Sequence, residues 1–238
     1  MKKLGIIGGL GPMATAYFLR LIVDMTDAVT DQEHIEILLH SKPQIPDRTN
    51  YILGKSKDNP MPDLLEIGKE LSSRGADVLA IPCITAHFFQ KDLESLIDCH
   101  IIHAIEETAS YLKEEKVDHV GIMATDGTIE SKLFQDIMEK NGIKCSIPSK
   151  EAQAKVMHII YDDVKAGKDV EMNLFHQVSR ELFADGAQVV LLGCTELSMI
   201  KRDHETGPGV LDVMEVLARA SVMSCGNLKK EYEHLITE

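Results

Sequence analysis

The sequence predicts an α/β protein made of two similar halves, each built around a parallel sheet. Short apolar, β-branched runs alternate with helical patterns along the 238 residues, which is typical of βαβ units. A segment also recurs: Gly75 and Gly186 each lead into an apolar run that ends at a cysteine eight positions later, Cys83 and Cys194. Because an internal duplication constrains the whole architecture, we expect the two cysteines to occupy equivalent strand ends and to face each other across a cleft.

Eight short apolar runs are predicted as strands. The first and fifth correspond, since Gly5 and Gly121 each lie in a run that leads into a loop of small residues and then a helix. In chain order the predicted strands are Leu4–Ile7, Ile35–His40, Val78–Ile81, Ile101–Ile102, His119–Met123, Lys144–Ile147, Val189–Leu192 and Val210–Leu211.

Helical spacing of apolar residues follows most of these strands. Pro12, which is favourable in the first turn of a helix, precedes a series at Phe18, Ile22, Met25 and Val29. Five further helices are predicted at Leu64–Ser73, Glu106–Glu115, Ser131–Asn141, Glu151–Ala166 and Leu174–Ala184. The boundary between the halves is predicted near Cys99, with residues 1–98 and 212–238 in the first lobe and residues 99–211 in the second.

The composition excludes several classes of partner. The net charge is −13, from 38 acidic and 25 basic residues, and no basic cluster stands out, so neither nucleic acid nor an anionic membrane is expected as a partner. The apolar N-terminal run breaks at Gly8-Gly9, too early for a signal peptide, and no run reaches the length of a membrane span. Five irregularly spaced cysteines without a Cys-x-x-Cys pair indicate reduced thiols in a cytoplasmic protein.

The loop Gly8–Ala14 contains a Gly-x-Gly-x-x-Ala pattern after a strand, a weak match to a dinucleotide-binding fingerprint. The second strand lacks the terminal carboxylate that would hold a ribose, and Pro12 removes a backbone donor. A small anion docking at the amides near Gly11 is favoured over a dehydrogenase site, with a simple tight turn as the competing interpretation.

A cysteine considered singly is more often a small core residue than a catalytic one. Cys83 and Cys194 differ from that default because each follows a strand, where open α/β sheets bind ligands, and because both occupy the same position of a repeat. The other three cysteines, Cys99, Cys145 and Cys225, have no such context and are interpreted as structural.

Three charged or titratable residues have both a local and a functional interpretation. Arg48 has the planar guanidinium suited to a carboxylate, but an Asp47–Arg48 salt bridge in a loop is the more common arrangement. Lys165 precedes Gly167 and would by default lie at a solvated helix end. His87 lies four residues after Cys83 and could orient the thiol, but local packing is favoured.

Several segments together resemble the aspartate/glutamate racemase family, the cofactor-independent amino-acid racemases. The resemblance covers nearly the whole chain and depends on both cysteine segments, Pro82–His87 and Leu192–Leu197. Further matching segments are Gly8–Thr15, Pro46–Thr49, Ala124–Thr128 and Ile160–Gly167.

The resemblance implies two α/β domains related by a pseudo-dyad, with the active site in the cleft between them. It implies Cys83 and Cys194 as the catalytic pair, no pyridoxal phosphate, no metal and a homodimer. Arg48 and Lys165 resemble the anchors for the substrate carboxylate. The full set of expected substrate-binding residues is Gly11, Arg48, Thr85, Thr125, Thr128, Lys165, Thr195 and Glu196.

The resulting hypothesis is a two-base racemase acting on a small acidic amino acid, most simply aspartate. One departure concerns specificity: family sequences usually carry Asn directly after the first cysteine, and this chain has Ile84. The alternatives are a broad-specificity amino-acid or hydantoin racemase, a decarboxylase or isomerase relative that protonates one face, and a non-catalytic protein that binds a small carboxylate.

Overall fold

The framework of the protein consists of two four-stranded parallel sheets, which confirms the predicted α/β class. The computed structural model describes residues 2–238. Each strand overlaps one of the eight predicted runs. The strands are Leu4–Gly8 (β1), Ile37–Ser41 (β2), Val78–Ala80 (β3), His100–Ile101 (β4), His119–Met123 (β5), Lys144–Ser146 (β6), Val189–Leu192 (β7) and Val210–Asp212 (β8).

The two sheets have the same strand order. The first runs β2-β1-β3-β4 and the second β6-β5-β7-β8, with every neighbouring pair parallel. β3 and β7 therefore hold equivalent places beside the central strands β1 and β5. This correspondence extends the duplication seen around Gly75 and Gly186 to the whole sheet.

Helices connect the strands and cover the sheets. A 3-10 helix, Ile84–Phe89, follows β3, and a π-helical turn, Ile159–Val164, follows α8. The α-helices are Pro12–Met25 (α1), Arg48–Ile52 (α2), Met61–Ser73 (α3), Gln90–Glu94 (α4), Ala104–Glu114 (α5), Asp126–Glu130 (α6), Leu133–Lys140 (α7), Lys150–His158 (α8), Met172–Ala184 (α9), Thr195–Asp203 (α10) and Val213–Cys225 (α11).

Two of the predicted helices have an end that differs for a local reason. The first stops at Met25, because Thr26 adopts an extended conformation with a ψ of 125°, and Val29 lies outside the helix at 91% exposure. The prediction that Val29 belongs to the apolar face of this helix was wrong. The predicted helix 131–141 starts instead at Leu133, since Lys132 has a φ of 57°. Within residues 2–238, no helix is both long and apolar enough to cross a membrane.

A glycine in the central strand of each half lets neighbouring side chains approach that strand closely. A Cβ on Gly5 would clash with Cδ2 of Leu79 on β3, and one on Gly121 would lie 2.7 Å from the Cβ of Leu182 on α9. Both leucines are fully or almost fully buried. The two glycines are therefore equivalent in place but make room for different neighbours: Gly121 allows α9 to pack on β5, whereas Gly5 makes room for the side chain of Leu79 on the adjacent strand.

One apolar core extends through both halves, with residues from β1, β5, α5 and α11 in a single buried cluster. α11 packs against α1 and α5. β4 pairs with β3, so the first sheet extends to Ile101, beyond the predicted boundary at residue 98. Likewise β8 carries the second sheet to Asp212, one residue past the predicted limit of 211.

Candidate active site

Cys83 and Cys194 line one cavity between the two halves. Cys83 lies just beyond β3 and Cys194 just beyond β7, and each is the residue that precedes a helix. Their exposures are closely matched, at 5% and 6%. Because parallel strands present their carboxyl ends at one edge of a sheet, equivalent positions in two facing sheets bring both thiols to the same space.

The cavity is narrow, with a volume of about 20 Å³, which is room for about one water molecule. Its walls come from both halves and are mostly polar. The lining residues are Leu10, Asp47, Arg48, Thr49, Cys83, Ile84, Thr85, Thr125, Tyr161, Lys165, Cys194, Thr195 and Glu196.

Arg48 is buried at the start of α2 and does not form the predicted local salt bridge with Asp47. Its Nη1 donates to the carbonyls of Ile45 and Pro46, at 3.3 and 2.9 Å, while its Nε is buried without a partner. Asp47 instead caps α2 by accepting from the amide of Asn50 at 2.7 Å. Arg48 is therefore held by carbonyl groups and presents an unused donor at the cavity.

The electrostatics of Arg48 depend on Cys83. Burial lowers the pKa of Arg48, but the negative charge that Cys83 carries when ionised opposes this effect, with further contributions from Asp47 and Glu196, and the pKa of Arg48 lies above its ordinary value. A fixed cation thus lies beside the sulfur of Cys83.

Lys165 and Glu196 form an ion pair beside the second cysteine. Lys165 Nζ lies 2.7 Å from Glu196 Oε1, and the Cys194 thiol donates to Glu196 Oε2 at 2.9 Å. Burial is the largest single effect on Glu196 and raises its pKa, but the Lys165 charge and the hydrogen bonds from Cys194 and Lys165 together lower the pKa below its ordinary value. For Lys165, burial lowers the pKa, but the charges of Glu196 and Cys194 and the hydrogen bond to Glu196 together raise it above its ordinary value.

Threonine hydroxyls join the two halves at the base of the cavity. Thr85 Oγ1 lies 3.2 Å from Thr125 Oγ1 and 3.0 Å from Thr128 Oγ1. Thr49 donates to Thr125 at 3.2 Å. Thr49 and Thr85 belong to the first half, and Thr125 and Thr128 to the second, so this network fixes the two walls relative to each other.

Three positions considered from the sequence lie outside the cavity lining. Thr128 is fully buried behind Thr85 and Thr125. Gly11 lines a neighbouring cavity of about 660 Å³ that shares Lys165, Thr195 and Glu196 with the cysteine cavity. His87 is fully buried among core groups, which lowers its pKa to about 4, and its ring contacts Gln90 and the Ile81 carbonyl.

The structure also adds lining residues to those predicted: Leu10, Asp47, Thr49 and Tyr161. Tyr161 precedes Lys165 by four residues on one helical stretch, and its hydroxyl donates to Asp47 across the halves at 3.4 Å. Residues four apart share a helix face. The prediction that Lys165 binds substrate could therefore have indicated that Tyr161 also lines the cavity. Ile84 is almost fully buried but contributes to the cavity wall.

This arrangement can bind a small anion and move protons at one bound atom. Arg48 and Lys165 supply positive charge from different halves, and each thiol belongs to the residue that precedes a helix. Among residues 2–238 there is no group of three His, Cys, Asp or Glu side chains placed to hold a metal ion.

Comparison with known proteins agrees with this architecture. The sequence profile of the Asp/Glu/Hydantoin racemase family matches residues 7–221. An aspartate racemase from Picrophilus torridus superposes with a TM-score of 0.84 at 32% identity, covering 98% of each chain. The broad specificity amino-acid racemase RacX of Bacillus subtilis (strain 168) is 22% identical over 92% of this chain and 96% of its own length.

The glutamate racemase of Francisella tularensis subsp. tularensis SCHU S4 has the same fold, with a TM-score of 0.67 at 15% identity over 94% of this chain and 80% of its own. The match to the family profile spans both cysteine segments and both sheets. The chain therefore belongs to the Asp/Glu/Hydantoin racemase family.

Proposed function

We propose that the protein is a racemase of a small acidic amino acid, most simply aspartate, that works without pyridoxal phosphate and uses Cys83 and Cys194 as its two bases. The observation that carries this proposal is the common cavity lined by the two cysteines, one from each half. Racemisation requires proton removal from one face of Cα and proton return to the other, and a single side chain does not readily reach both faces.

The proton transfer is balanced within the cysteine pair. One cysteine, as a thiolate, takes the Cα proton, and the other, as a thiol, gives its proton to the opposite face of the carbanion. The pair ends with its protonation states exchanged, and solvent exchange restores the starting state. The developing negative charge is stabilised by fixed donors, for which the hydroxyls of Thr85, Thr125 and Thr195 line the cavity.

Two cations are available for a substrate with two carboxylates. Arg48 presents an unpartnered buried Nε, and a guanidinium binds a carboxylate through paired hydrogen bonds. Lys165 already pairs with Glu196 at 2.7 Å, so a substrate carboxylate would share or replace that contact. Because the cavity holds about one water, substrate entry requires the walls to separate, and the Tyr161–Asp47 contact across the halves would break or lengthen.

The likeness to the aspartate racemase of Picrophilus torridus supports aspartate as the substrate. A second candidate is a broader range of amino acids. It is favoured by the apolar side chains of Leu10 and Ile84 in the cavity wall and by the similarity to the broad specificity racemase of Bacillus subtilis.

The test is exchange of the Cα hydrogen in deuterated water, followed by proton NMR. The substrates are both enantiomers of aspartate, glutamate, alanine and leucine, and the control is the Cys83→Ser/Cys194→Ser double variant. The proposal expects exchange with both aspartate enantiomers at rates well above the double variant. Exchange with alanine or leucine in addition to aspartate would favour the second candidate, and no exchange with any of the amino acids would reject a racemase of these substrates.

A further inference from the structure

The two cysteines have opposite ionic neighbours, although their burial is alike. Beside Cys194 is a carboxylate: its thiol donates to Glu196 Oε2 at 2.9 Å, and the same oxygen accepts from the Thr195 hydroxyl at 3.2 Å. The other oxygen of Glu196 pairs with Lys165. Because Glu196 is held as a carboxylate by Lys165, a negative charge on Cys194 would lie next to another negative charge.

Beside Cys83 is a cation. Arg48 and Cys83 line the same cavity of about 20 Å³, and the negative charge of an ionised Cys83 raises the pKa of Arg48 against the effect of burial. Asp47, the carboxylate nearest in sequence, points to the Asn50 amide and the Tyr161 hydroxyl. The charged and titratable groups around the cavity are thus Arg48 on the Cys83 side and the Lys165–Glu196 pair on the Cys194 side, with Asp47 and Tyr161 between the halves.

We propose that Glu196 is a positioning residue that holds a proton on Cys194, so that in the resting protein Cys83 is the base and Cys194 the acid. The inference rests on the proposed racemase function. It assigns the first turnover to the substrate enantiomer whose Cα hydrogen faces Cys83: that proton moves to the Cys83 sulfur, and the Cys194 proton moves to the opposite face of the carbon.

After that turnover the negative charge lies on Cys194, next to Glu196. The Lys165 ammonium, paired with Glu196 at 2.7 Å, reduces the repulsion but does not remove it. Return of a proton to Cys194 from water, with loss of the Cys83 proton, restores the resting state. In agreement with this asymmetry, the pKa of Cys194 lies well above its ordinary value, through burial first and the charge of Glu196 second.

The experiment is an ultraviolet titration of thiolate absorbance that needs no substrate. The Cys83→Ser and Cys194→Ser variants each retain one site cysteine, and subtracting the double variant removes the signal of Cys99, Cys145, Cys225 and the tyrosines. The proposal expects Cys194 to ionise at least about one pH unit above Cys83, a tenfold difference in ionisation constant. Equal titration, or the reverse order, would overturn it.

Glu196→Gln in the Cys83→Ser background tests whether the charge of Glu196 causes Cys194 to keep its proton. The amide keeps the shape of the side chain and removes its charge, so the titration of Cys194 should move down by about one pH unit. The matched control is Glu215→Gln, which removes a partly buried carboxylate that pairs with Lys201 of α10 and does not line the cavity; it should leave the titration of Cys194 unchanged.

An unchanged Cys194 titration in folded Glu196→Gln would refute the role of Glu196. If that variant does not fold, the order of the two single-cysteine titrations still decides which thiol keeps the proton. Because the readout is ionisation rather than turnover, a failure here is distinct from a failure of the racemase proposal, which the exchange experiment tests.

Discussion

At the scale of single residues, the chemistry of the site depends on the hydrogen-bond and ion-pair partners of each buried charged group. Arg48 has carbonyl contacts that hold it in place and one buried donor without a partner. A buried unpaired donor is costly unless a ligand completes it. In the proposed function, this guanidinium is a preformed half of a carboxylate contact.

We expect Arg48→Lys to raise KM for aspartate by roughly tenfold to a hundredfold, with a smaller change in kcat. A lysine keeps the charge but loses the paired hydrogen bonds. The size of the effect follows from the contribution of one charged hydrogen bond, about 1.5–3 kcal/mol. Steady-state kinetics in both directions measures this. The control is Arg180→Lys, an exposed arginine on α9. An unchanged KM in folded Arg48→Lys would rule out Arg48 as the carboxylate anchor.

A second buried titratable group, the carboxyl group of Asp212, lies outside the cavity lining. Asp212, at the end of β8, is fully buried; its Oδ1 accepts from the Ser198 hydroxyl and the Met214 amide, while its Oδ2 has no partner. Burial first, and the charge of Glu215 second, raise the pKa of Asp212 to about 7. Lys201 and Tyr17 face the same carboxyl pair.

The sign of the resulting pH dependence follows from proton binding. Between about pH 4 and pH 7 the folded protein keeps a proton on Asp212 that the unfolded chain has released, so this group makes the free energy of unfolding fall as pH rises. Asp212→Asn keeps the Oδ1 acceptor and removes the titration. Urea unfolding at pH 5 and pH 8 should therefore show a smaller loss of stability in the variant than in the wild type. An equal loss in both proteins would contradict the raised pKa.

At the scale of secondary-structure elements, glycines set how closely the elements approach. Gly121 lets α9 pack on β5, inside the second half. Gly127 lies at the start of α6, where a Cβ would be 3.0 Å from the Cα of Thr49 on α2 in the first half. A substitution at Gly121 therefore tests packing within one half, and a substitution at Gly127 tests packing between the halves.

We expect Gly121→Ala to lower the free energy of unfolding by about 1–3 kcal/mol through overpacking against Leu182. Gly127→Ala should instead reduce kcat/KM more than stability, because Thr49 must shift and its hydrogen bond to Thr125 lengthens. Thermal unfolding and kinetics on both variants measure this. A Gly127→Ala protein with normal kcat/KM would show that the contact between α2 and α6 does not set the site geometry.

Most elements were predictable because apolar periodicity marks strands and helices wherever they face a core. The eight strands and the pair of cysteine turns follow from such patterns. The short helices α2, α4 and α6 were not predicted, since five residues are too few to show helical periodicity. The predicted helix 151–166 contains the π-helical turn at 159–164, but its apolar pattern did not reveal the π geometry. Because contacts between the halves leave no such pattern, the sequence placed Gly11 and Thr128 among the binding residues, although Gly11 lines the adjacent cavity and Thr128 supports Thr85 from behind.

At the scale of the whole molecule, the duplication places Cys83 and Cys194 at equivalent positions of two similar sheets, but the two cysteines have chemically different neighbours. The strand orders of the sheets are the same, yet one thiol adjoins Arg48 and the other adjoins Glu196. In the proposed mechanism, the symmetric frame places two bases on opposite sides of one carbon, and the different charges around them give each base a distinct resting state.

The most direct test of this account follows the hydrogen at Cα during the first turnovers of one aspartate enantiomer in deuterated water. If Cys83 and Cys194 flank the same carbon, the proton taken by one thiol is not the one delivered by the other. The product enantiomer should then carry deuterium from the earliest times, while unreacted substrate retains its original hydrogen. A product that retains the substrate's own hydrogen would mean that one base serves both faces, and the two-cysteine mechanism would be wrong.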